Sequence, residues 1–357
     1  MGLKRLVLLM GLISMVGMIA IACSDDKDNA DGDTAVVAAA GARLNMVKDR
    51  GNLICAGRTD LPGFGFLDAN GANSGFDIDL CKAVAAAIFG DASKLEVIPI
   101  TAAERGPTIQ AGEVDLLSRN VTWTSTRDAQ WGNFTTVMFY DGQGFMVPTS
   151  KGFTSALDLD GATVCVTSGT TTELNVADFF RQHNMNLNTV VFEDSASVYG
   201  AYEEGRCDAT TSDKSQLAAI RSGFANPGAH MILPETISKE PLTPAVAHGD
   251  DQWFDLVKTV MYTLINAEEL GVTQANVDAM RSSDNIIIRR MLGTEGEFGQ
   301  STLGLSPTFA VDVIKAVGNY GEVYDRYMGP QGVSFTLPRG DNELWSNGGV
   351  IYAPPLK

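Results

Sequence analysis

The strongest constraint on this chain is a rhythm that runs through it twice. From Leu53, short β-rich runs alternate with amphipathic helical segments: LICA, FDIDLCKAVAAAIF, LEVIPI, ERGPTIQAGEV and DLLS. After the glycine-bounded run Gly144-Phe145-Met146-Val147-Pro148 the alternation starts again as TVCVTS, TTTELNVADFFRQHN, NTVVFE, SVYGAYEEGR and CDATTS. Parallel strands need long crossovers, usually helical, so each series predicts a largely parallel sheet with helices on both faces. Two such α/β units in tandem predict two lobes and a cleft between them. Ligands in these sheets bind beyond the carboxyl ends of strands, where loops and helix N-termini present free N–H groups. The stretch Trp253–Lys357 is mainly helical and is expected to complete the first lobe.

Ahead of this body lies an address. Lys4 and Arg5 precede the uncharged apolar run from Leu6 to Ala22, too short for a comfortable membrane span, which reads as a secretory signal over residues 1–22. The run ends Ala20-Ile21-Ala22-Cys23. This resembles a lipobox, with Ala20 where Leu is usual, and makes Cys23 the expected lipidation site. Ordinary cleavage nearby, with loss of Cys23, is the alternative. Residues 23–41 are then a lipid-anchored tether, because the acidic, small-residue segment SDDKDNADGDTAVVAAAG buries too little area to offset its ordering entropy. Export places Cys55, Cys81, Cys165 and Cys207 in an oxidising compartment. Four cysteines allow three pairings. Neighbouring elements of one lobe meet most readily, which predicts Cys55 to Cys81 and Cys165 to Cys207.

Composition removes several classes of function. The 357 residues carry 26 Lys+Arg against 43 Asp+Glu, a formal charge of −17 that excludes a phosphate-binding surface and hence nucleic acid. Only three histidines occur, none at ligand spacing from another, so no metal site is expected. The sequence holds no GxxxxGK[ST], HExxH or GxSxG, and Gly63-Phe64-Gly65 lacks the third glycine of a dinucleotide fingerprint. No nucleophile and base pair is readable, and no bound cofactor is expected.

What remains is a set of polar loops, each just past a predicted strand. SRNVTWTSTR, residues 118–127, brings hydroxyls, an amide and the Arg127 guanidinium, whose fixed fork suits a carboxylate. Ser168-Gly169-Thr170-Thr171-Thr172-Glu173 is a glycine turn opening a helix, which favours an anion. Thr210-Thr211-Ser212-Asp213 ends on a carboxylate that suits an ammonium. Taken singly these are helix caps and a surface arginine; converging on one cleft they describe an α-amino acid site.

The segments GFDIDLCKAVAAAIFGD, SRNVTWTSTRD, YDGQGFMV, LDGATVCVTSGTTTELNVADFF, ISKEPLTPAVAHGDDQWFDLV, IRRMLGTEGEFG and VGNYGEVYDRY resemble the general L-amino acid-binding proteins of bacterial ABC importers, within the family 3 solute-binding proteins. The likeness runs from about Leu44 to Lys357. It implies a bilobal type II periplasmic-binding-protein fold, with lobe 1 at 42–142 and 246–357, lobe 2 at 143–245, and a two-strand hinge near Gly142–Phe145 and Leu242–Val246. It further implies that Arg127 clamps the ligand α-carboxylate with Asn120 and Thr122 in support. Thr171 adds donors, Gly169 permits close backbone approach, Asp213 holds the α-amino group, and Phe64 or Phe66 covers the ligand. Arg58 and Arg105 lie where relatives restricted to glutamate and aspartate carry arginines, and Arg119 reaches the same side-chain pocket; a bias toward acidic amino acids is therefore expected. Implied partners are L-amino acids and ABC permease subunits, for a monomer held at the periplasmic or cell-surface face of a membrane. The rival from another class is an exported dehydratase on the same fold acting on a prephenate-like acid, with Glu173 as general acid.

Overall fold

The computed structural model describes residues 41–332 and 335–357; the secretory signal, Cys23 and the tether up to residue 40 lie outside the described residues. The two sequence rhythms become two five-stranded sheets of matching design. In the first, the strands run in the order Leu95–Pro99, Leu53–Gly57, Leu116–Leu117, Ala245–Val246 and Asn133–Phe134. In the second, the order is Asn188–Phe192, Thr163–Thr167, Ala209–Asp213, Gln143–Pro148 and His230–Ile232. Each sheet opens with three parallel strands, as crossover helices require, and its fourth strand runs antiparallel to both the third and the fifth.

The fourth strand of each sheet is borrowed across the middle of the chain. Gln143–Pro148 enters the second sheet straight from the first unit, and Ala245–Val246 re-enters the first sheet after the second is complete. Between them the chain crosses as the antiparallel pair Phe139–Asp141 and Glu240–Leu242, with Glu240 opposite Asp141. A small antiparallel sheet of Asp60–Leu61, Gly65–Leu67 and Asn73–Ser74 was not legible as strands in the sequence.

The largest core is built from both ends of the chain. Leu53, Leu80 and Val84 pack with Leu256 and Val260 of the helix Asp251–Glu269, with Val313 of Phe309–Val317, and with Ile351 and Leu356 near the terminus. The helical final third thus covers the first sheet. Two smaller clusters flank the second sheet, one around Phe145, Val164 and Phe180, the other around Cys165, Tyr202 and Leu217. Both predicted disulfides are present, with Cα separations of 6.3 Å for Cys55–Cys81 and 5.7 Å for Cys165–Cys207. Among the described residues no helix is long and apolar enough to cross a membrane.

Candidate ligand-binding site

A polar cavity lies between the carboxyl ends of the two sheets, where the alternating pattern places a ligand. From the first-sheet side it is lined by Arg58, Ala102, Arg105, Arg119, Asn120 and Thr122. From the second it is lined by Thr167, Thr170, Thr171, Thr172, Ser195, Ser212, Asp213 and Gln216. A second cavity adjoins it, sharing Thr170 and Thr171 and adding Arg127, Trp131, Gly169, Glu173 and Leu174.

Each cation is fixed by local structure. Arg58 follows the strand Leu53–Gly57 and is 3% exposed. Its Nε pairs with Asp60 at 2.7 Å, Nη1 donates to Asn120 Oδ1 at 3.2 Å and Gln216 Oε1 at 3.0 Å, and Nη2 donates to Ser195 Oγ at 3.1 Å. This side chain is not solvated at the rim: four of its five donors are engaged and it spans the cleft, with one Nη2 hydrogen uncommitted on the cavity lining. Arg105 opens the helix Arg105–Gln110, with Nε on the Ala102 carbonyl at 2.9 Å and Nη2 on the Gly169 carbonyl at 3.2 Å. Arg119 donates only through Nε, to the Ile100 carbonyl at 2.7 Å, which leaves both of its terminal nitrogens for the cavity among the described residues. Arg127 is held by the N-cap Thr124, which accepts from its backbone N–H. Its Nη1 donates to the Thr122 carbonyl at 3.0 Å, and its guanidinium lies 4.7 Å from the Trp131 ring centroid.

So many buried cations in one place are electrostatically costly. Burial, reinforced by the neighbouring Arg127 and Arg119 charges, pushes Arg105 well below the ordinary arginine range. Burial and the Arg58 charge bring Arg119 down to about 9. A carboxylate placed between these groups would relieve both costs.

The second side carries the opposite sign. Asp213 ends the strand Ala209–Asp213, is 5% exposed, and forms no ion pair among the described residues. Burial, then the nearby Asp141 and Glu240 charges, raise it well above the usual carboxylate range. A ligand ammonium would supply the missing counter-charge. Thr170 caps the helix Thr171–Gln182 by accepting from the Glu173 N–H, so the capping role and the cleft-lining role fall on the same turn. Gly169 has φ +68°, and a Cβ there would stand 3.0 Å from Ala103 Cα across the cleft. Its smallness therefore lets the two sides meet. Asn120, also at positive φ (32°), donates its backbone N–H to Asp77 at 2.6 Å, and burial raises Asp77 to about 6.

The aromatic expectation fails at Phe64. That ring is 1% exposed and packs edge-on against Phe139 and Phe76, at centroid distances of 5.3 and 6.5 Å. The glycine turn that carries it folds it into the core instead of over the cavity, while Phe66 points to solvent. Three residues were missed: Ser195, Gln216 and Glu240. Ser195 and Gln216 stand in the first turns of helices that follow second-sheet strands, the same signal that marked Thr171. Glu240 lies on a crossing strand, where no such signal exists.

A polar, charge-complementary cleft between two sheets of this topology defines a solute receptor. Residues 53–276 match the bacterial extracellular solute-binding proteins, family 3, and the chain belongs to that family. It is 52% identical over 322 residues to the general L-amino acid-binding periplasmic protein AapJ of Rhizobium johnstonii, covering 90% of this chain and 94% of that one. It is 48% identical to the glutamate/glutamine/aspartate/asparagine-binding protein BztA of Rhodobacter capsulatus, covering 90% and 95%. Among solved structures, an ABC transporter periplasmic binding protein from Brucella ovis with glutathione bound superposes with a TM-score of 0.85 at 48% identity, covering 88% and 99%. The chain is a binding protein and not an enzyme, which removes the dehydratase reading. Glu173, its candidate acid, instead accepts from the Gly169 N–H at 3.0 Å and braces the turn.

Proposed function

We propose that this protein is the extracytoplasmic substrate-binding component of an amino acid ABC importer, taking L-amino acids into the cleft with a bias toward glutamate and aspartate and delivering them to the permease. The observation that carries the reading is the placement of Asp213 opposite a cluster of buried arginines on the lining of one cavity. An α-amino acid is a zwitterion, and this cleft offers one anion and several cations at opposite walls. Arg127, supported by Asn120 and Thr122, takes the α-carboxylate; Asp213 takes the ammonium, and Gly169 and Thr171 close over them. Arg105 and Arg119 receive the side-chain carboxylate, since their terminal nitrogens are less committed than those of Arg58. The Rhizobium relative, a general L-amino acid-binding protein, and the Rhodobacter relative, which binds glutamate, glutamine, aspartate and asparagine, support the same class.

The lobes divide at the crossing strands, with 42–142 and 246–357 in one and 143–245 in the other. Ligand binding favours the closed arrangement by its differential affinity for it, and the permease engages that form. The receptor acts as a monomer held to the membrane through Cys23. A second reading has a specific basis: the Brucella relative holds glutathione, and the adjoining cavity lined by Arg127 and Trp131 offers room for a γ-linked extension. The test is a thermal-shift panel of the twenty L-amino acids and glutathione on refolded, ligand-stripped protein, followed by calorimetry of each hit. Stabilisation led by glutamate and aspartate is expected. No response to any amino acid would refute the reading, and a response to glutathione alone would replace it with the second.

A further inference from the structure

The family match ends at residue 276, yet the first crossing strand, Phe139–Asp141, is held by residues that lie beyond it. Three consecutive positions are gripped in three different ways. Tyr320 Oη donates to the Met138 carbonyl at 2.9 Å. The Tyr324 ring stacks on Phe139, 9° from parallel with centroids 5.9 Å apart. Asn342, 4% exposed, takes both backbone groups of Tyr140: its Oδ1 accepts from the N–H at 2.6 Å and its Nδ2 donates to the carbonyl at 3.0 Å. Opposite Tyr140 in the ladder stands Pro241, which has no N–H to give, so a side-chain amide supplies what the second crossing strand cannot.

Asn342 is itself anchored to the first lobe. Arg339 donates to the Asn342 carbonyl through Nε at 3.1 Å and Nη2 at 2.9 Å, and pairs bidentately with Glu268 of the helix Asp251–Glu269. Its guanidinium also lies over the Tyr320 and Tyr324 rings, at 5.3 and 5.4 Å from their centroids. A forked ion pair against two aromatic faces fixes both the position and the plane of the arginine. Past Tyr140 the chain changes hands. The Asp141 carboxylate accepts from Ser215 of the second lobe, the Gly142 carbonyl accepts from the Lys214 N–H at 2.9 Å, and Gln143 is already paired with Asp213 in the second sheet. On the return crossing, the Pro241 carbonyl accepts from the Trp123 N–H on the first side at 2.9 Å, and the Ile237 N–H donates to the Gln143 carbonyl on the second at 2.9 Å.

We infer that Asn342 and Arg339 form a hinge brace: carried on chain beyond the family match, they make the first crossing strand part of lobe 1 as far as Tyr140 and confine the bend between the lobes to Tyr140–Gly142 and Ser238–Glu240. Asn342 is a positioning residue, and its effect on binding rests on the reading of a cleft that closes on an amino acid. The bonds from Arg58 to Gln216 and from Arg105 to the Gly169 carbonyl hold the lobes in the closed arrangement whatever the hinge does. Freeing Met138–Tyr140 therefore adds backbone entropy chiefly to the open arrangement. The brace thus retains the ligand without touching it.

The test is Asn342→Leu, of similar size but unable to hold either backbone group of Tyr140. Stopped-flow release of L-glutamate and of L-glutamine should become about 3- to 10-fold faster, by the same factor for both, with the association rate unchanged. Small-angle X-ray scattering should show a larger radius of gyration than wild type without ligand, and the same radius when saturated. A lower melting temperature with wild-type release and a wild-type ligand-free radius would mean that Asn342 only supports lobe 1, and overturns the proposal; so does a loss confined to one of the two amino acids. If wild-type protein binds no amino acid, the functional reading fails while the ligand-free radius still decides the brace. Should Asn342→Leu not fold, Asn342→Ala removes the same two bonds without the bulk; the same changes are expected, and no change there overturns the proposal equally.

Discussion

The two walls of the cleft are built on the same sheet topology and carry opposite chemistry. The first-sheet wall presents Arg58, Arg105 and Arg119, with Arg127 alongside; the second presents Asp213, a run of threonines, Ser195 and Gln216. A repeated fold therefore did not yield a repeated site. Each wall is electrostatically frustrated, Arg105, Arg119 and Arg127 held below their ordinary range and Asp213 above its own, both chiefly by burial. Closing the walls around a zwitterion relieves both at once. On the proposed scheme, a bound zwitterion therefore favours the closed arrangement.

The sharpest way to break this contrast is to remove one charge from each wall. Arg127→Ala and Asp213→Ala should each weaken L-glutamate binding by about 2–5 kcal/mol in calorimetry, because each leaves a buried ligand charge unpaired. Equal tolerance of either change would show that the walls do not divide the zwitterion as described. A finer cut separates recognition of the backbone from recognition of the side chain. Arg119→Gln and Arg105→Gln should cost about 1.5–3 kcal/mol for glutamate while leaving glutamine binding nearly intact. A parallel loss for both ligands would move these arginines to a purely structural role.

Acidity probes the second wall directly. Asp213 is held protonated to a higher pH than usual by its burial, and only its ionised form pairs with an ammonium. Binding therefore releases a proton, and Kd for L-glutamate should fall as pH rises above the ordinary carboxylate range, with a slope of at most about one decade per pH unit. Asp213→Asn should flatten the profile. The smallest expected effect compares the two bridges, one per sheet. Their loops span 26 and 42 residues, so in urea unfolding the loss of Cys165–Cys207 should cost more than that of Cys55–Cys81 by about 0.4 kcal/mol on loop entropy.

Much of this was legible beforehand, and unevenly so for physical reasons. Strand and helix periodicity depends on local spacing, so both sheets, the covering helices and both cysteine pairs could be read. Thr171 opens the helix after a strand, Asp213 ends a strand, and Arg127 lies in the short helix reached by the loop after Leu116–Leu117, so their positions in the fold follow from topology. Arg58 was placed in the cleft, but its function was not readable, since its partners Ser195 and Gln216 lie far along the chain and meet it only across the closed interface. Phe64 failed because a glycine turn does not reveal which way its aromatic faces. Glu240 had no local mark at all: its four donors come from three separate segments.

The borrowed strand and the shared core bear on how such a chain is assembled. Leu53 and Leu80 pack with Val313, Ile351 and Leu356, and the first sheet lacks Ala245–Val246 until the second unit has been traversed. The earliest segment to emerge during synthesis thus cannot finish folding until nearly the last has appeared. Contacts at such long sequence separation are slow to form. The molecule stays unfinished for most of its own production, and a truncation just past residue 276, where the family match ends, would leave the first sheet without the helix and tail that cover it.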